Sequence, residues 1–319
     1  MLFENVLITG GLGYIGGRLS RYLSKEGHNV LVSSRKKISM EKSELHGTNI
    51  SGINHDRLLD SESFPDEIDV VIHLAAVNEI DCVKYPSEAV KINIDQTRMI
   101  LENAISKGVK RFIYFSTVHV YGPSIAGDID ESILPRPAHP YAITHRAAED
   151  YVIAAHDKKR INAMVIRLSN SFGAPVFPDV DRWTLLVNDI CRQLVTTHTI
   201  KLNSNGCQFR DFITLTDVER CVGHLLSINP SESNIIFNLA SGKSLTVLAM
   251  AELIASCYEE VTGIKVLLTL PENTTPTKEK EFRFNSERLK RSGYELTNKF
   301  EGELKELIFF CKKHFALTT

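Results

Sequence analysis

The sequence predicts an α/β protein built on a doubly wound parallel sheet, and three observations carry that expectation. Short apolar runs alternate with helix-period segments through the first half of the chain. A glycine-rich stretch joins the first apolar run to the first helical segment. The run Asp69–Ala76 is apolar at nearly every position, as a central parallel strand covered on both faces must be.

Each element follows from local pattern. Asn5–Ile8 is the first strand. Ile15, Leu19, Tyr22 and Leu23 then share one helical face, and Gly27 is placed to end that helix. Asn29–Ser33 is the second strand and Asn49–Ile53 the third. After Asp69–Ala76, Pro86 suits the first turn of a long helix. Val90, Ile94, Thr97, Leu101 and Ile105 repeat along it at three- and four-residue spacing, and Gly108 closes it. Arg111–Phe115 and Ala163–Leu168 are the fifth and sixth strands. Beyond about residue 170, Pro175, Pro178 and several Asn and Thr residues loosen the pattern. Asn234–Leu239 reads as one more sheet strand, Thr246–Tyr258 and Glu301–His314 as helices, and Pro271–Lys280 as a loop. Residues 1–170 are expected to form the large domain, with 209–242 returning to it. Residues 171–208 and 243–319 are expected to form mainly a smaller C-terminal α/β substrate lobe.

Composition narrows the function. The 319 residues carry 37 Lys+Arg against 39 Asp+Glu, a net charge of −2, so no basic surplus is present for a general nucleic-acid surface. No apolar run approaches the ~18 residues of a membrane span. The chain reaches Glu4 almost at once and then enters the glycine stretch, which does not read as a signal peptide. The six cysteines, Cys82, Cys191, Cys207, Cys221, Cys257 and Cys311, are scattered with no C-x-x-C pair. They read as reduced thiols of a cytoplasmic protein, neither a disulfide frame nor a metal site.

Thr9-Gly10-Gly11-Leu12-Gly13-Tyr14-Ile15-Gly16 links the first strand to the first helix. Gly10 permits the tight turn, Gly13 lets a pyrophosphate approach the backbone, and Gly16 allows the helix to pack closely on the strand. The helix N-terminus favours the anion. This is a Rossmann-type dinucleotide-binding signature. The second strand of such folds commonly ends in an acidic residue that holds the ribose hydroxyls. Here Ser33, Ser34 and Arg35 stand at that end, followed by Lys36 and Lys37. A small hydroxyl followed by a cation suits a 2′-phosphate, which favours NADP over NAD. Asp56, after the third strand, is either an adenine contact or an ordinary loop carboxylate.

Several motifs then occur in one order: TGGLGYIG, His73-Leu74-Ala75-Ala76, Asn93, STVHVYG (Ser116–Gly122), Pro140-Tyr141, RLSNSFG (Arg167–Gly173), QFRDFITLTDV (Gln208–Val218) and FNLASG (Phe237–Gly242). Together they resemble the extended short-chain dehydrogenase/reductases, more narrowly the NAD(P)-dependent epimerase/dehydratase family, whose members mostly act on nucleoside-diphosphate sugars. The resemblance implies roles. Tyr141 matches the catalytic tyrosine that moves a proton at a sugar oxygen while hydride is exchanged with the nicotinamide. Thr117 matches the hydroxyl that bonds the same oxygen, and Asn93 a helix residue that organises the site. Gly10, Gly13, Tyr14, Ile15, Gly16 and Leu74, Ala75, Ala76 match cofactor-binding positions. Asn170 matches a substrate contact and Arg210 an arginine for the nucleotide phosphates. His119 is either a substrate contact or a strand-end histidine. The resemblance also admits a homodimer built on two helices of the large domain.

The chain departs from the family pattern at three places. Four residues after the tyrosine, where the family carries lysine, stands His145. Positions four apart share a helix face, so His145 is expected to reach the cofactor, but a histidine with pKa ~6.5 supplies less positive charge at neutral pH. Turnover with His145 and a degenerate site that binds without turnover are both consistent with that change. The Asp-Glu pair of the 4,6-dehydratases is replaced by Val118-His119, which points away from dehydration and toward reduction or epimerisation at the 4-position. A second phosphate-binding arginine is missing near Thr275-Pro276, leaving Lys278, Lys280 or Arg283 to compensate. That gap keeps a non-nucleotide alcohol or ketone open as the substrate.

Overall fold

Alternating apolar runs become parallel neighbours in the computed structural model, which describes residues 4–35, 45, 48–123, 125–228, 234–271 and 280–316. The chain divides into two compact units. The first comprises 1–124, 131–168 and 222–238, and the second 125–130, 169–221 and 239–319. Of the stretch 209–242, residues 222–238 belong to the first unit and 209–221 to the second.

The first unit opens with β1 (Asn5–Thr9), α1 (Tyr14–Lys25), β2 (Asn29–Ser34), β3 (Ile50–Asn54) and β4 (Val70–His73). It continues with α2 (Glu79–Lys84), α3 (Pro86–Val90), α4 (Thr97–Ser106) and β5 (Arg111–Thr117). A short strand of the second unit, β6 (Gly127–Ile129), intervenes before α5 (Pro140–Asp157) and β7 (Asn162–Leu168). Then come β8 (Asn170–Phe172), α6 (Leu186–Thr197), β9 (Thr199–Lys201), β10 (Phe209–Thr214), α7 (Leu215–Ser227) and β11 (Ile236–Leu239). The chain closes with β12 (Ser244–Thr246), α8 (Val247–Thr262), β13 (Leu267–Thr269), β14 (Phe282–Phe284), α9 (Glu287–Arg291) and α10 (Phe300–Phe315).

The large sheet has seven strands in the order β11-β7-β5-β4-β1-β2-β3. The pairs β3·β2, β2·β1, β1·β4, β4·β5 and β5·β7 are all parallel. Strand order reverses between β1 and β4, which is where a doubly wound sheet opens a crevice beyond the strand ends. The registers Thr9↔Ser33 and Thr9↔His73 put three polar side chains side by side at that point. Beneath them Leu7, Val71, Phe112 and Val165 lie in a core closed by Leu101, Ala104, Ala148 and Val152 of α4 and α5. In the second unit, β12-β10-β8 form a three-stranded sheet, and α6, α8 and α10 pack on one another.

Two elements differ from the sequence expectation for physical reasons. The strand expected over Asp69–Ala76 leaves the ladder after His73, because the amides of Leu74 and Ala75 turn to the Thr9 hydroxyl at 3.0 and 3.1 Å. The single helix expected after Pro86 is interrupted by a π-helical turn over Lys91–Gln96. The turn changes the helical phase. Ala89, Asn93, Thr97 and Leu101 face inward, whereas Val90 is exposed and Ile94 only half-buried. The three-residue strands β6, β8, β9 and β12–β14 carry too few residues for a period to show.

A buried ion pair ties α5 to the sheet. Arg167 on β7 donates to both oxygens of Glu149 at 3.1 and 2.8 Å, and neither side chain is more than 1% exposed. Arg146 adds a third bond at 2.9 Å, and the Arg167 guanidinium lies 4.9 Å from the Tyr121 ring centre. Removing Arg167 leaves the buried Glu149 carboxylate with the half-exposed Arg146 as its remaining ion-pair partner among the described residues. Arg167→Met is therefore expected to cost about 3 kcal/mol in urea unfolding, and Arg167→Met with Glu149→Gln markedly less.

Candidate active site

The glycine loop closes as a tight turn. Gly10 has φ +67°, and the amide of Gly13 bonds its carbonyl at 2.8 Å, closing the turn. A Cβ on Gly16 would lie 2.2 Å from that same carbonyl, so Gly16 is required by the loop itself. The close approach to the sheet expected of Gly16 is made by Gly11, whose Cβ would meet the Val32 side chain at 2.6 Å. Gly13 is exposed at the N-cap of α1, and no side chain caps that end. An uncapped first turn facing outward suits the pyrophosphate of a dinucleotide. Tyr14 is buried, so only its backbone is offered there, while Ile15 is half-buried.

At the neighbouring strand end, Ser33 is fully buried and its hydroxyl bonds His55 Nδ1 at 3.0 Å. Burial, and then the Arg35 cation, push the His55 ring below its ordinary pKa. Ser34 is half-buried, and Arg35 and Asp56 are exposed. Asp56 also donates its amide to Asn54 Oδ1 at 2.8 Å, opening a one-turn helix. Lys36 and Lys37 lie outside the described residues.

Between the loop and α5 runs a hydrogen-bonded chain with a single possible sense. The Thr9 hydroxyl accepts two amides, so its own hydrogen goes to His73 Nδ1 at 2.8 Å. His73 must then be protonated at Nε2, which donates to the Thr97 hydroxyl at 2.9 Å. Thr97 passes its hydrogen to the carbonyl of Asn93 at 2.8 Å. The Asn93 side chain accepts the amide of Val77 at 2.7 Å and donates to the Thr144 hydroxyl at 3.0 Å. Thr144 in turn bonds the carbonyl of Tyr141 at 2.9 Å. Asn93 is buried and spends both ends of its amide inside the protein, which makes it a positioning residue. Leu74, Ala75 and Ala76 are half-buried beside the loop, with the backbone of Ala75 3.3 Å from a Cβ built on Gly10.

Helix α5 packs against β5 and against the turn Val118–Tyr121. Its Tyr141 is half-buried, with its amide capped by His139 Nδ1 at 3.2 Å. The His145 ring lies 4.3 Å from the Tyr141 ring and tilted by 60°. His145 is buried, and its Nδ1 faces the Tyr114 hydroxyl at 2.9 Å, a partner on the sheet. Thr117 ends β5 and accepts the amide of His119 at 3.2 Å, which leaves its hydroxyl hydrogen to donate. His119 is exposed.

Asn170 and Arg210 lie on adjacent strands of the second unit, where Asn170 registers with Phe212. Asn170 Nδ2 bonds the carbonyl of Asp211 at 2.8 Å, and Arg210 is exposed. Asp211 itself is a residue the sequence reading passed over. It accepts the hydroxyls of Ser169 and Ser241 and the amides of Ser241 and Gly242, at 2.7–2.9 Å. Burial pushes its carboxyl up to about 6 against those donors. Arg283 is engaged with Asp128 at 2.6 Å, and Thr275, Pro276 and Lys278 lie outside the described residues. Among the described residues no cluster of His, Cys, Asp or Glu could hold a metal ion, and no helix is long and apolar enough to cross a membrane.

Comparison with known proteins decides the family. Residues 6–240 match the model of the NAD dependent epimerase/dehydratase family. The chain belongs to that family. Its resemblance to human dTDP-D-glucose 4,6-dehydratase is 22% identity, covering 98% of this chain and 91% of the relative. A solved UDP-N-acetylglucosamine 4-epimerase from Methanobrevibacter ruminantium M1, in complex with UDP-N-acetylmuramic acid, superposes with TM-score 0.82 at 24% identity, covering 97% and 98% of the two chains. RMD from Pseudomonas aeruginosa complexed with NADPH gives 0.77 at 20% identity, covering 97% and 99%. The family comprises nicotinamide-dependent enzymes, and the glycine loop and uncapped α1 fit such a cofactor. The likeness to a 4,6-dehydratase runs against the sequence expectation that excludes dehydration.

Burial pushes the His73 ring down to about 3, with His55 and His145 adding to the shift. Above pH ~6.5 the ring is neutral in both folded and unfolded chains and contributes no pH dependence. Below ~6.5 the unfolded chain takes up a proton that the folded chain refuses, so stability falls with pH by up to ~1.4 kcal/mol per unit. Urea midpoints of His73→Gln are accordingly expected to fall less steeply than wild type between about pH 6.5 and 4.5.

Proposed function

We propose that the protein oxidises, reduces or epimerises the 4-position of a nucleoside-diphosphate sugar, without 4,6-dehydration. One observation supports the reading: α5, which carries Tyr141 in its first turn, packs against β5, which ends in Thr117. When bound, the nicotinamide supplies hydride exchange at its ring carbon. Tyr141 gives a proton to the sugar oxygen or takes one from it. Thr117, its lone pair already engaged by the His119 amide, donates its hydrogen to the same oxygen. The positions after Thr117 hold a buried valine and an exposed histidine, so no carboxylate pair stands there to remove water. Asn170 and Arg210 of the second unit are assigned to the substrate, and His119 with them.

The cofactor-binding set is Gly10, Gly13, Tyr14, Ile15, Gly16, Ser34, Arg35, Asp56, Leu74–Ala76, Tyr141 and His145. NADP is favoured over NAD because β2 ends in Ser33 and Ser34, with Arg35 exposed next to them. A second reading, cofactor binding without turnover, is favoured by His145 at the family's lysine position. A homodimer is supported by exposed Ile80, Val83, Val90, Ile143 and Tyr151 on the mutually packed α2, α3 and α5. Light scattering is expected to give twice the chain mass for wild type and the single mass for Ile143→Glu.

The deciding experiment identifies any co-purifying dinucleotide. The same sample is then assayed with a panel of nucleoside-diphosphate sugars and their 4-keto forms, with NADPH and NADH. Turnover is expected at the 4-position with no 4-keto-6-deoxy product; formation of that product would establish dehydration instead. Tyr141→Phe is expected to lower kcat by about 10²–10⁴ with the dinucleotide still bound, and Thr117→Val by less. Arg35→Glu is expected to weaken NADPH about tenfold or more relative to NADH.

A further inference from the structure

We infer that Tyr114 is a positioning residue that holds His145 as the neutral, Nε2-protonated ring, so that an N–H donor replaces a fixed cation beneath Tyr141. The role in turnover rests on the function proposed above; the choice of tautomer does not. Tyr114 sits in the middle of β5, between His73 of β4 and Val165 of β7. The side chain is 3% exposed, and its ring stacks on His73 with centroids 5.9 Å apart. Its hydroxyl lies 2.9 Å from His145 Nδ1, with no other acceptor for it among the described residues.

Two proton arrangements satisfy that distance. If the imidazole donates from Nδ1, the phenolic hydrogen is left buried without an acceptor, at the desolvation penalty of an unmade hydrogen bond. If the phenol donates, Nδ1 is bare and the ring proton resides on Nε2, with both groups satisfied at that contact. Burial pushes the Tyr114 phenol well above its ordinary range, with Glu149 and Tyr141 adding to it, so the hydrogen to be donated is present throughout the neutral range. Protonating His145 at Nδ1 would reverse the bond and strand that hydrogen. The pairing therefore opposes an imidazolium at the position where the family carries its ammonium. The other charged or titratable neighbours are His73 on β4, Tyr141, Arg146 and Glu149 on α5, and Arg167 on β7. Glu149 is already neutralised by the two arginines.

The test uses the full chain with 15N-labelled histidine, the His145 signals being assigned by their loss in His145→Gln. Nitrogen shifts of wild type near pH 7.5 are expected to report a bare Nδ1 and a protonated Nε2. In Tyr114→Phe, which keeps the ring and removes only the hydroxyl, the preference is expected to collapse to a mixture and the ring to titrate at higher pH. Under the proposed reaction, kcat of Tyr114→Phe is expected to fall about tenfold near pH 7, with KM within about twofold and a displaced pH profile. Circular dichroism verifies that the variant is folded. A wild-type ring protonated at Nδ1, or identical His145 signals in the two proteins, would overturn the inference. Expected signals in a wild type without turnover would leave the tautomer assignment standing and remove the reaction instead.

Discussion

Where strand order reverses, His73 and the chain leaving β4 depend on the single hydroxyl of Thr9. It takes two amides from the chain leaving β4 and gives its hydrogen to His73, which fixes the direction of the bonds from His73 to Thr97 and from Thr97 to the Asn93 carbonyl. Had Thr9 been apolar, the Leu74 and Ala75 amides would lose their acceptor, and His73 would lose the donor that sets its tautomer. The Asn93 side chain, its own sense set by the Val77 amide, then bonds Thr144, which bonds the carbonyl of Tyr141. The backbone of Tyr141 is thus tied through neutral hydrogen bonds to the end of β1, where the glycine loop begins. Neutral bonds suit this location, since an unmatched charge there would be far more costly than an unmatched amide.

Much of the large unit was legible in the sequence because its strands are covered on both faces and its helices on one. Those two periods survive without any knowledge of partners. The strand boundaries at Asn5, Asn29 and Arg111 follow from turn residues and the start of apolar runs. Misreadings arose where a polar contact overrode the period. Leu74–Ala76 continue the apolar run of β4 but leave the sheet to serve Thr9, and Val90 is exposed on the α2, α3 and α5 surface. The second unit was scarcely readable, since three-residue strands such as β8 and β12 show no alternation and are held by Asp211.

Within the candidate site, the residues that stood out in the sequence have a motif around them: the glycines, Thr117, Tyr141 and Asn93. The residues that support them did not stand out. His73 was visible as a lone polar residue ending an apolar strand, and Thr144 as a hydroxyl three positions past Tyr141, but neither spacing names its partner. Tyr114 looked like one more core aromatic of β5, and only the approach of α5 reveals what its hydroxyl meets. The net charge of −2 sharpens in the same way. Arg35 and Arg210 are the exposed cations assigned to phosphates, whereas Arg167 and Arg146 are consumed inside the first unit.

The π-helical turn at Lys91–Gln96 makes this part of the chain intolerant of length change. It contains the residue that carries Asn93 inward and ends immediately before Thr97, with regular helix on both sides. Deleting one residue there would restore an uninterrupted helix and stabilise it locally. It would also rotate everything before the turn by roughly 100° relative to Thr97, since one residue is 1/3.6 of a helical turn. Asn93 and the Thr97 hydroxyl could not then both serve α5 and His73. The helix is kept imperfect by two neighbours with incompatible demands on its phase, and lineages of this protein should accept insertions in the loops around it far more readily than a single-residue deletion inside it.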